Sequence, residues 1–319
     1  MPQPTSSVTF SRREKARLRL ASQGLTMPRW ESAEEVVRAF GVMQGQDLYT
    51  VRRSLALRAK DHSDAGNMVR GYPMRNTLFA ASIKDIGWIT ELCAKGRKGE
   101  AELRAEVNKL IENPLSRAEL KERAVTALPD VPFWHVVRVA MESGHAVYSG
   151  ADQLITPVDL PGLEETFNGD KVAATAELMT RYFRTHGPAT LRDFAWWAKL
   201  SQKLIRPAAE NLAPDIVRCG EESQDLVSAE IVEIAEARKK QSVLLLGAFD
   251  EYILGYQDRL FAMTNEVHEA LVPGNRGVFR RAIVVDGQVR GTWNKQDIED
   301  LGMPGYAMRK VQKLWRDAH

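Results

Sequence analysis

The 319-residue chain is poor in the residues that announce the commoner chemistries. It holds two cysteines, Cys93 and Cys219, too few for a disulfide framework and too far apart for a metal-ligand pair, which points to a reducing, intracellular setting. Its six histidines are scattered, without a His-Glu-x-x-His pair. No Gly-rich phosphate loop occurs either, so zinc-dependent and nucleotide hydrolysis lose their usual signatures. Neither metal nor cofactor is expected. The longest apolar runs, such as Val243 to Leu246, are of strand length, so no membrane association is expected, and no signal-peptide pattern opens the chain. A net charge of +2 is too small by itself to mark a nucleic-acid binder.

What is present is ample apolar material, unevenly charged. Hydrophobic residues make up 44% of the sequence, and the length exceeds one ordinary core, so two to four compact units are expected. Residues 1–60 carry 11 Lys/Arg against 5 Asp/Glu, and residues 276–319 carry 9 against 5. Two basic ends and a compensating middle suit an anionic partner held between them; solvated helix faces are the plainer explanation.

Read in order, one arrangement returns three times. Ser11 to Gly24 reads as a basic helix stopped by Gly24. Ser32-Ala33-Glu34-Glu35 is a capping-box pattern, opening a helix that runs toward Gln44. Leu48 to Ala59 reads as a helix with Val51, Leu55 and Leu57 inward and Arg52, Arg53 and Arg58 mostly outward. Asn67 to Arg70 and Thr77 to Ser82 have the length of a small hairpin, and helices followed by a hairpin describe a winged helix. The same order recurs over Glu100 to Thr156 and over Asp170 to Ser228, and beyond Glu230 the strands Val243 to Leu246, Arg280 to Val285 and Gln288 to Trp293 precede a last helix. Asp286-Gly287 between two of those strands is the strongest hairpin signal in the chain. The expected fold is α+β, mainly helical with small β-hairpins. It divides into a basic helix and first winged-helix unit (1–90), a second unit (91–160), a third (161–230) and a β-containing C-terminal domain (231–319).

Candidate chemistry concentrates at Gln44-Gly45-Gln46-Asp47. In an extended segment, positions two apart share a face. The two carboxamides, each with an acceptor and two donated hydrogens, would then meet one water or one polar substrate edge; exposed glutamines flanking a turn are the bland reading. Other candidates carry plain structural explanations. His135 lies on an apolar helix, and Trp196-Trp197 diverge by about 100° on a helix, so at least one is core. Asp250-Glu251 is an acidic pair that also suits a helix N-terminus, and Asp258-Arg259 suits a local salt bridge.

Four stretches occur in order: Gln44-Gly45-Gln46-Asp47, GPATLRDFAWW at 187–197, AFDEYILGYQDR at 248–259 and VPGNRGVFRRAIVVDGQVRGTW at 272–293. Together they resemble the AlkZ-type winged-helix DNA glycosylases, over nearly the whole chain. The resemblance implies a C-shaped body of tandem winged helices around duplex DNA, a monomer that excises alkylated purines and in some members unhooks interstrand crosslinks. The family's catalytic Gln-x-Gln falls on Gln44 and Gln46. Expected DNA contacts are Arg12, Arg13, Arg52, Arg53, Arg75, Asn275 and Arg276, in a cytoplasmic, nucleoid-associated protein. Two departures stand out. Gly45 occupies a position where well-known members have a larger apolar residue, which would loosen the backbone beneath the pair. Arg75-Asn76-Thr77-Leu78-Phe79 stands where relatives often read Arg-Gly-Thr-Leu-His, which puts a polar contact near the site in doubt.

The chemistry accepts glutamine for one lesion class. A neutral amide is a poor acid and a poor base, but an N3- or N7-alkylpurine is already cationic and departs readily. What remains is to place water near C1′ and stabilise positive charge on the sugar, which amide carbonyls do by hydrogen bond and dipole. Asp47 either polarises that water or caps the following helix. The competing readings are a winged-helix transcription regulator that reads a major groove and a family member that binds damaged DNA without cutting it.

Overall fold

The computed structural model describes residues 10–63, 66–93, 100–219, 224–237 and 242–318. The first unit contains α1 (Arg12–Ser22), β1 (Trp30–Ser32), α2 (Ala33–Phe40), β2 (Val42–Gln44), α3 (Leu48–Arg58), β3 (Ala59–Asp61), β4 (Met68–Met74) and β5 (Thr77–Ser82). The second contains α4 (Ile83–Cys93), α5 (Glu100–Lys109), α6 (Arg117–Ala127), α7 (Phe133–Glu142), β6 (Ala146–Ser149) and β7 (Leu154–Pro157). The third has α8 (Leu163–Phe167), α9 (Lys171–His186), α10 (Leu191–Ala198), α11 (Gln202–Ala208), β8 (Ile216–Arg218) and β9 (Leu226–Ser228). The C-terminal part follows with α12 (Ala229–Ala237), β10 (Val243–Leu245), α13 (Glu251–Leu254), α14 (Asn265–Leu271), β11 (Arg281–Val285), β12 (Gln288–Trp293), β13 (Ile298–Asp300) and α15 (Gly305–Asp317). The expected α+β class is the observed one. No described helix is long and apolar enough to cross a membrane.

Local signals account for most boundaries. Ser11 caps α1 in a reciprocal box with Glu14, Ser116 caps α6 with Glu119, and Thr190 caps α10 with Asp193. At α2 only half of the expected box forms. Ser32 accepts from the Glu35 N–H, but the Glu35 carboxylate reaches the N–H of Glu31 instead of that of Ser32. Asp286 and Gly287 both have positive φ and join β11 to β12 in a two-residue turn.

Longer-range pairing was not visible in the sequence. The hairpins of the first two units merge into one five-stranded sheet of order β2-β5-β4-β6-β7, with Arg70 on β4 paired to Tyr148 on β6. β1 and β3 form a short parallel pair, and β10 to β13 form a separate four-stranded antiparallel sheet. The largest apolar cluster runs from Ala16 on α1 through Phe79, Tyr182, Phe183 and Trp197 to Tyr252, Tyr256 and Val289. The first, third and C-terminal parts thus share one core with α4 and with Val147 of β6, while α5, α6, α7 and the rest of the β6–β7 hairpin supply a second. β2 and its Gln-x-Gln stretch sit where the shared core meets the five-stranded sheet.

Arg58 corrects the outward placement expected for it. Its side chain is 0% exposed and forks onto Asp250, with Nη2–Oδ1 at 2.7 Å and Nη1–Oδ2 at 3.0 Å. An arginine at the end of an amphipathic helix reads as solvent-facing until a buried carboxylate from a distant segment is placed opposite it. This pair ties α3 to the start of α13 behind the glutamine stretch.

Candidate active site

The Gln44 amide lies at the end of β2 and is 5% exposed, whereas Gln46 is exposed. The strand ends at Gln44 and the chain bends at Gln46, and the two carboxamides meet: Gln46 Nε2 donates to Gln44 Oε1 at 2.9 Å. This bond leaves the Gln46 carbonyl and the second lone pair of Gln44 Oε1 as acceptors on one short stretch of chain. Gln44 Nε2 is buried with no hydrogen-bond partner among the described residues. Phe79, directly across the ladder from Gln44, is fully buried and apolar, so the polar neighbour that histidine would provide there is absent.

Asp47 caps α3 with both oxygens, accepting from Tyr49 N–H at 3.1 Å and from Thr50 Oγ1 at 2.9 Å. Gly45 does not loosen the segment, contrary to the expectation. Its N–H donates to Leu78 O at 2.8 Å, and its carbonyl accepts from Arg70 Nη1 at 2.7 Å. A Cβ at this position would meet Phe79 C at 2.6 Å and Ala80 N at 2.7 Å. Glycine here lets β2 press against the backbone of β5, and close approach rather than an unusual torsion is what it supplies.

Behind the pair lies a buried polar network. Glu251 Oε1 accepts the Gln44 backbone N–H at 2.8 Å, and its Oε2 lies 3.3 Å from His186 Nε2. The His186 ring stacks on Tyr182 at 4.4 Å between centroids, and its backbone carbonyl accepts from Tyr256 Oη. Burial pushes His186 below the ordinary histidine range, against the opposing pull of the Glu251 hydrogen bond. Asp250 is also fully buried. Burial alone would raise its pKa, but the charge of Arg58 and the hydrogen bonds from Arg58, Ser54 and the Tyr252 N–H outweigh that and hold it below the usual carboxylate range. The acidic pair therefore divides: Asp250 caps α13 and neutralises Arg58, and Glu251 fixes the backbone of Gln44.

Around the pair, basic and aromatic side chains alternate. Arg75 and Asn76 form the β4–β5 turn with φ of 59° and 52°. Asn76 thus occupies a conformation that favours the glycine of relatives and that asparagine also tolerates. The Arg75 guanidinium lies 4.7 Å from the centre of the Trp196 ring, and that of Arg259 lies 5.5 Å from Trp196 and 5.0 Å from Phe279. Trp197 is fully buried core, while Trp196 is half-buried among these cations. Asp258 does not pair with Arg259 but accepts the Leu260 N–H at 2.8 Å. His135 takes the structural role expected for it, 3.2 Å from Glu100. A cleft of about 880 Å³, lined by Asp47, Ala248, Phe279, Arg281, Trp293 and Lys295 among others, opens beside the cap of α3.

The remaining candidates are dispersed over the surface. Arg52 is exposed, whereas Arg53 donates to Leu245 O at 2.7 Å and lies over Trp293, bracing the edge of β10. Arg12 donates to Met263 O, and Arg13 lies 3.9 Å from Asp286, so both also join α1 to the C-terminal part. Asn275 and Arg276 are exposed after α14. Arg70 was not picked out from the sequence, and Glu251 and Arg259 were named there only within an acidic pair and a local salt bridge, not as neighbours of the glutamines. Glu251 and Arg259 lie within AFDEYILGYQDR, but a carboxylate's reach to a backbone amide on another unit leaves no local pattern. Among the described residues no group of His, Cys, Asp and Glu has the makings of a metal site.

The model of the AlkZ-like DNA glycosylases matches residues 37–297. The chain belongs to the AlkZ-like DNA glycosylase family. Within that family, an interstrand DNA cross-link repair glycosylase of Streptomyces sahachiroi is 26% identical over 140 residues, spanning 42% of this chain and 37% of that relative. The solved structure of the Streptomyces sahachiroi DNA glycosylase AlkZ shares the fold, with a TM-score of 0.75 and 20% identity over 98% of this chain and 97% of that one.

Proposed function

We propose that this protein is a monofunctional DNA glycosylase that hydrolyses the N-glycosidic bond of cationic alkylated purines in duplex DNA. The substrates are N7-alkylguanine and N3-alkyladenine, together with interstrand crosslinks built on the same cationic purines. The observation that carries the reading is the 2.9 Å bond from Gln46 Nε2 to Gln44 Oε1. It sets two neutral amides side by side, with Gln46 exposed toward an incoming substrate and Gln44 fixed by the ladder, Glu251 and the shared core.

In this mechanism the C1′–N bond breaks and its electron pair passes to the alkylated purine, cancelling the positive charge of the base. No acid is required for that departure. The Gln46 carbonyl and Gln44 Oε1 orient one water toward C1′ and stabilise the developing oxocarbenium charge by their dipoles. The water oxygen bonds to C1′ and loses its proton to solvent, leaving an abasic site. Asp47 is assigned the cap of α3, where each of its oxygens accepts one hydrogen bond, rather than the water. The chain acts as a monomer, without metal or cofactor. Arg12, Arg13, Arg52, Arg75, Asn275 and Arg276 contact phosphates, and Arg53 adds to the same field while bracing β10.

The test is incubation of the purified chain with duplex DNA containing N7-methylguanine, assayed for free base and for abasic sites. Wild type is expected to yield both, and Gln46→Ala neither, with DNA affinity held within a few fold. Full base release by Gln46→Ala would move the chemistry to another part of the protein.

A further inference from the structure

Two guanidinium groups near the glutamine stretch share one aromatic ring and form no ion pair among the described residues. Arg75 and Arg259 both lie over Trp196, at 4.7 and 5.5 Å from its ring centre, and Arg259 also lies over Phe279. Arg75 Nη1 and Arg259 Nε are buried atoms without a hydrogen-bond partner among the described residues, and neither side chain has an ion-pair partner there. Burial lowers the pKa of both, and the charge of Arg75 adds to the effect on Arg259. Other buried or partly buried arginines meet a carboxylate or a carbonyl oxygen, as Arg58 does at Asp250, Arg181 at Asp85, Arg70 at Gly45 O and Arg53 at Leu245 O. The ring attracts each cation, but Lys199 Nζ also lies 5.3 Å from its centre, and like charges gathered on one ring repel unless an anion joins them. Arg75 is further held at φ 59°, in the left-handed region that a side chain disfavours, and such strain accumulates at ligand clamps.

We propose that Arg75 and Arg259, braced on Trp196, clamp one phosphodiester phosphate of the damaged strand next to the Gln44–Gln46 pair. Position supports this: the Arg75–Asn76 turn leads directly into β5, where Leu78 O accepts the N–H of Gly45, the residue between the two glutamines, at 2.8 Å. Chemistry narrows the ligand. Guanidinium forks match phosphate oxygens two at a time, whereas a cationic purine is repelled by two positive groups. The clamp therefore grips the sugar-phosphate backbone while the glutamines face the glycosidic bond, so that C1′ is presented at a fixed distance from the bound water. Arg259 and Trp196 thereby become positioning residues. The inference rests on the glycosylase reading, since it takes duplex DNA as the ligand.

The experiment uses the full chain and fluorescence anisotropy on a duplex with a stable abasic analogue. A single methylphosphonate, uncharged, is moved through the phosphates on either side of the analogue. One position is expected to weaken wild-type binding by about tenfold. Arg259→Gln is expected to weaken the all-phosphate duplex by a similar factor, to show little further loss at that one position, and to make the slope of log K against log salt shallower by about 0.9. Should Arg259→Gln not fold, Arg259→Lys, which keeps the charge but loses the fork, is expected to show a reduced loss at the same position. A wild-type scan with no singular position, or losses that add in full, overturns the clamp. A chain that binds the duplex and releases methylated base but shows no such position sinks the clamp alone. A chain that does not bind duplex DNA sinks the glycosylase reading along with it.

Discussion

Glu251 accepts the backbone N–H of Gln44 at 2.8 Å across 207 positions of sequence. β2 is only three residues long, and a ladder so short would fray at its last residue. The carboxylate extends the hold on that residue from the other side of the shared core. The backbone of Gln44 is thus held by a carboxylate buried behind the pair.

Removing that acceptor is expected to separate positioning from binding. Glu251→Leu leaves the Gln44 N–H buried without a partner, at a cost of about 1–3 kcal/mol in stability, measurable by denaturant unfolding. Base release is expected to fall at least tenfold in kcat with DNA affinity unchanged. Glu251→Gln keeps a carbonyl acceptor and is expected to restore most of the activity. A Glu251→Leu variant with normal kcat would show that the contact is only structural.

Gly45 gives a second handle on the same backbone. Because an added Cβ would lie 2.6 Å from Phe79 C and 2.7 Å from Ala80 N, Gly45→Ala must push β2 away from β5. The expected destabilisation is about 1–3 kcal/mol, read as a lowered thermal midpoint, together with loss of base release as the amide pair shifts. Unchanged stability and turnover would mean that β5 yields freely, as it must where relatives carry a larger residue.

Much of this was legible in the sequence. Ser11, Ser116 and Thr190 each mark a helix start through one short reciprocal contact, and Asp286-Gly287 marks a turn through its torsions. The two-residue period of extended chain would place Gln44 and Gln46 on one face; the two amides do meet, but across a bend at Gln46. What stayed hidden depends on packing between distant segments. Arg58 looked solvent-facing because its partner Asp250 lies 192 positions away. The two hairpins looked separate because a single pairing of Arg70 with Tyr148 joins them. Glu251 looked like a helix-start acid because its local context is that of one, while its contacts are with Gln44 and His186.

His186 predicts the acid side of the stability profile. Its pKa is lowered in the folded chain by burial, while in the unfolded chain it titrates near about 6.5. Between those two values the unfolded chain binds a proton that the folded chain does not, so stability is full above about pH 6.5 and is lost as pH falls below it. The denaturation midpoint is expected to drop over that range, and His186→Asn is expected to flatten the drop, whatever its effect on absolute stability. Asp250, held low by Arg58, adds a separate loss only as pH falls below about 3.9, its unfolded value. A profile for His186→Asn parallel to that of wild type would assign the drop to other groups.

In the proposed mechanism two neutral amides suffice because the leaving base already carries positive charge. It is tested most directly by single-turnover base release at neutral pH from otherwise identical duplexes containing N7-methylguanine, uracil or 1,N6-ethenoadenine. The account predicts rapid release of N7-methylguanine, abolished by Gln46→Ala, and no release of the two neutral bases, whose departure needs an acid or a stabilised anion. Release of uracil or ethenoadenine at a rate comparable to that of N7-methylguanine would contradict it.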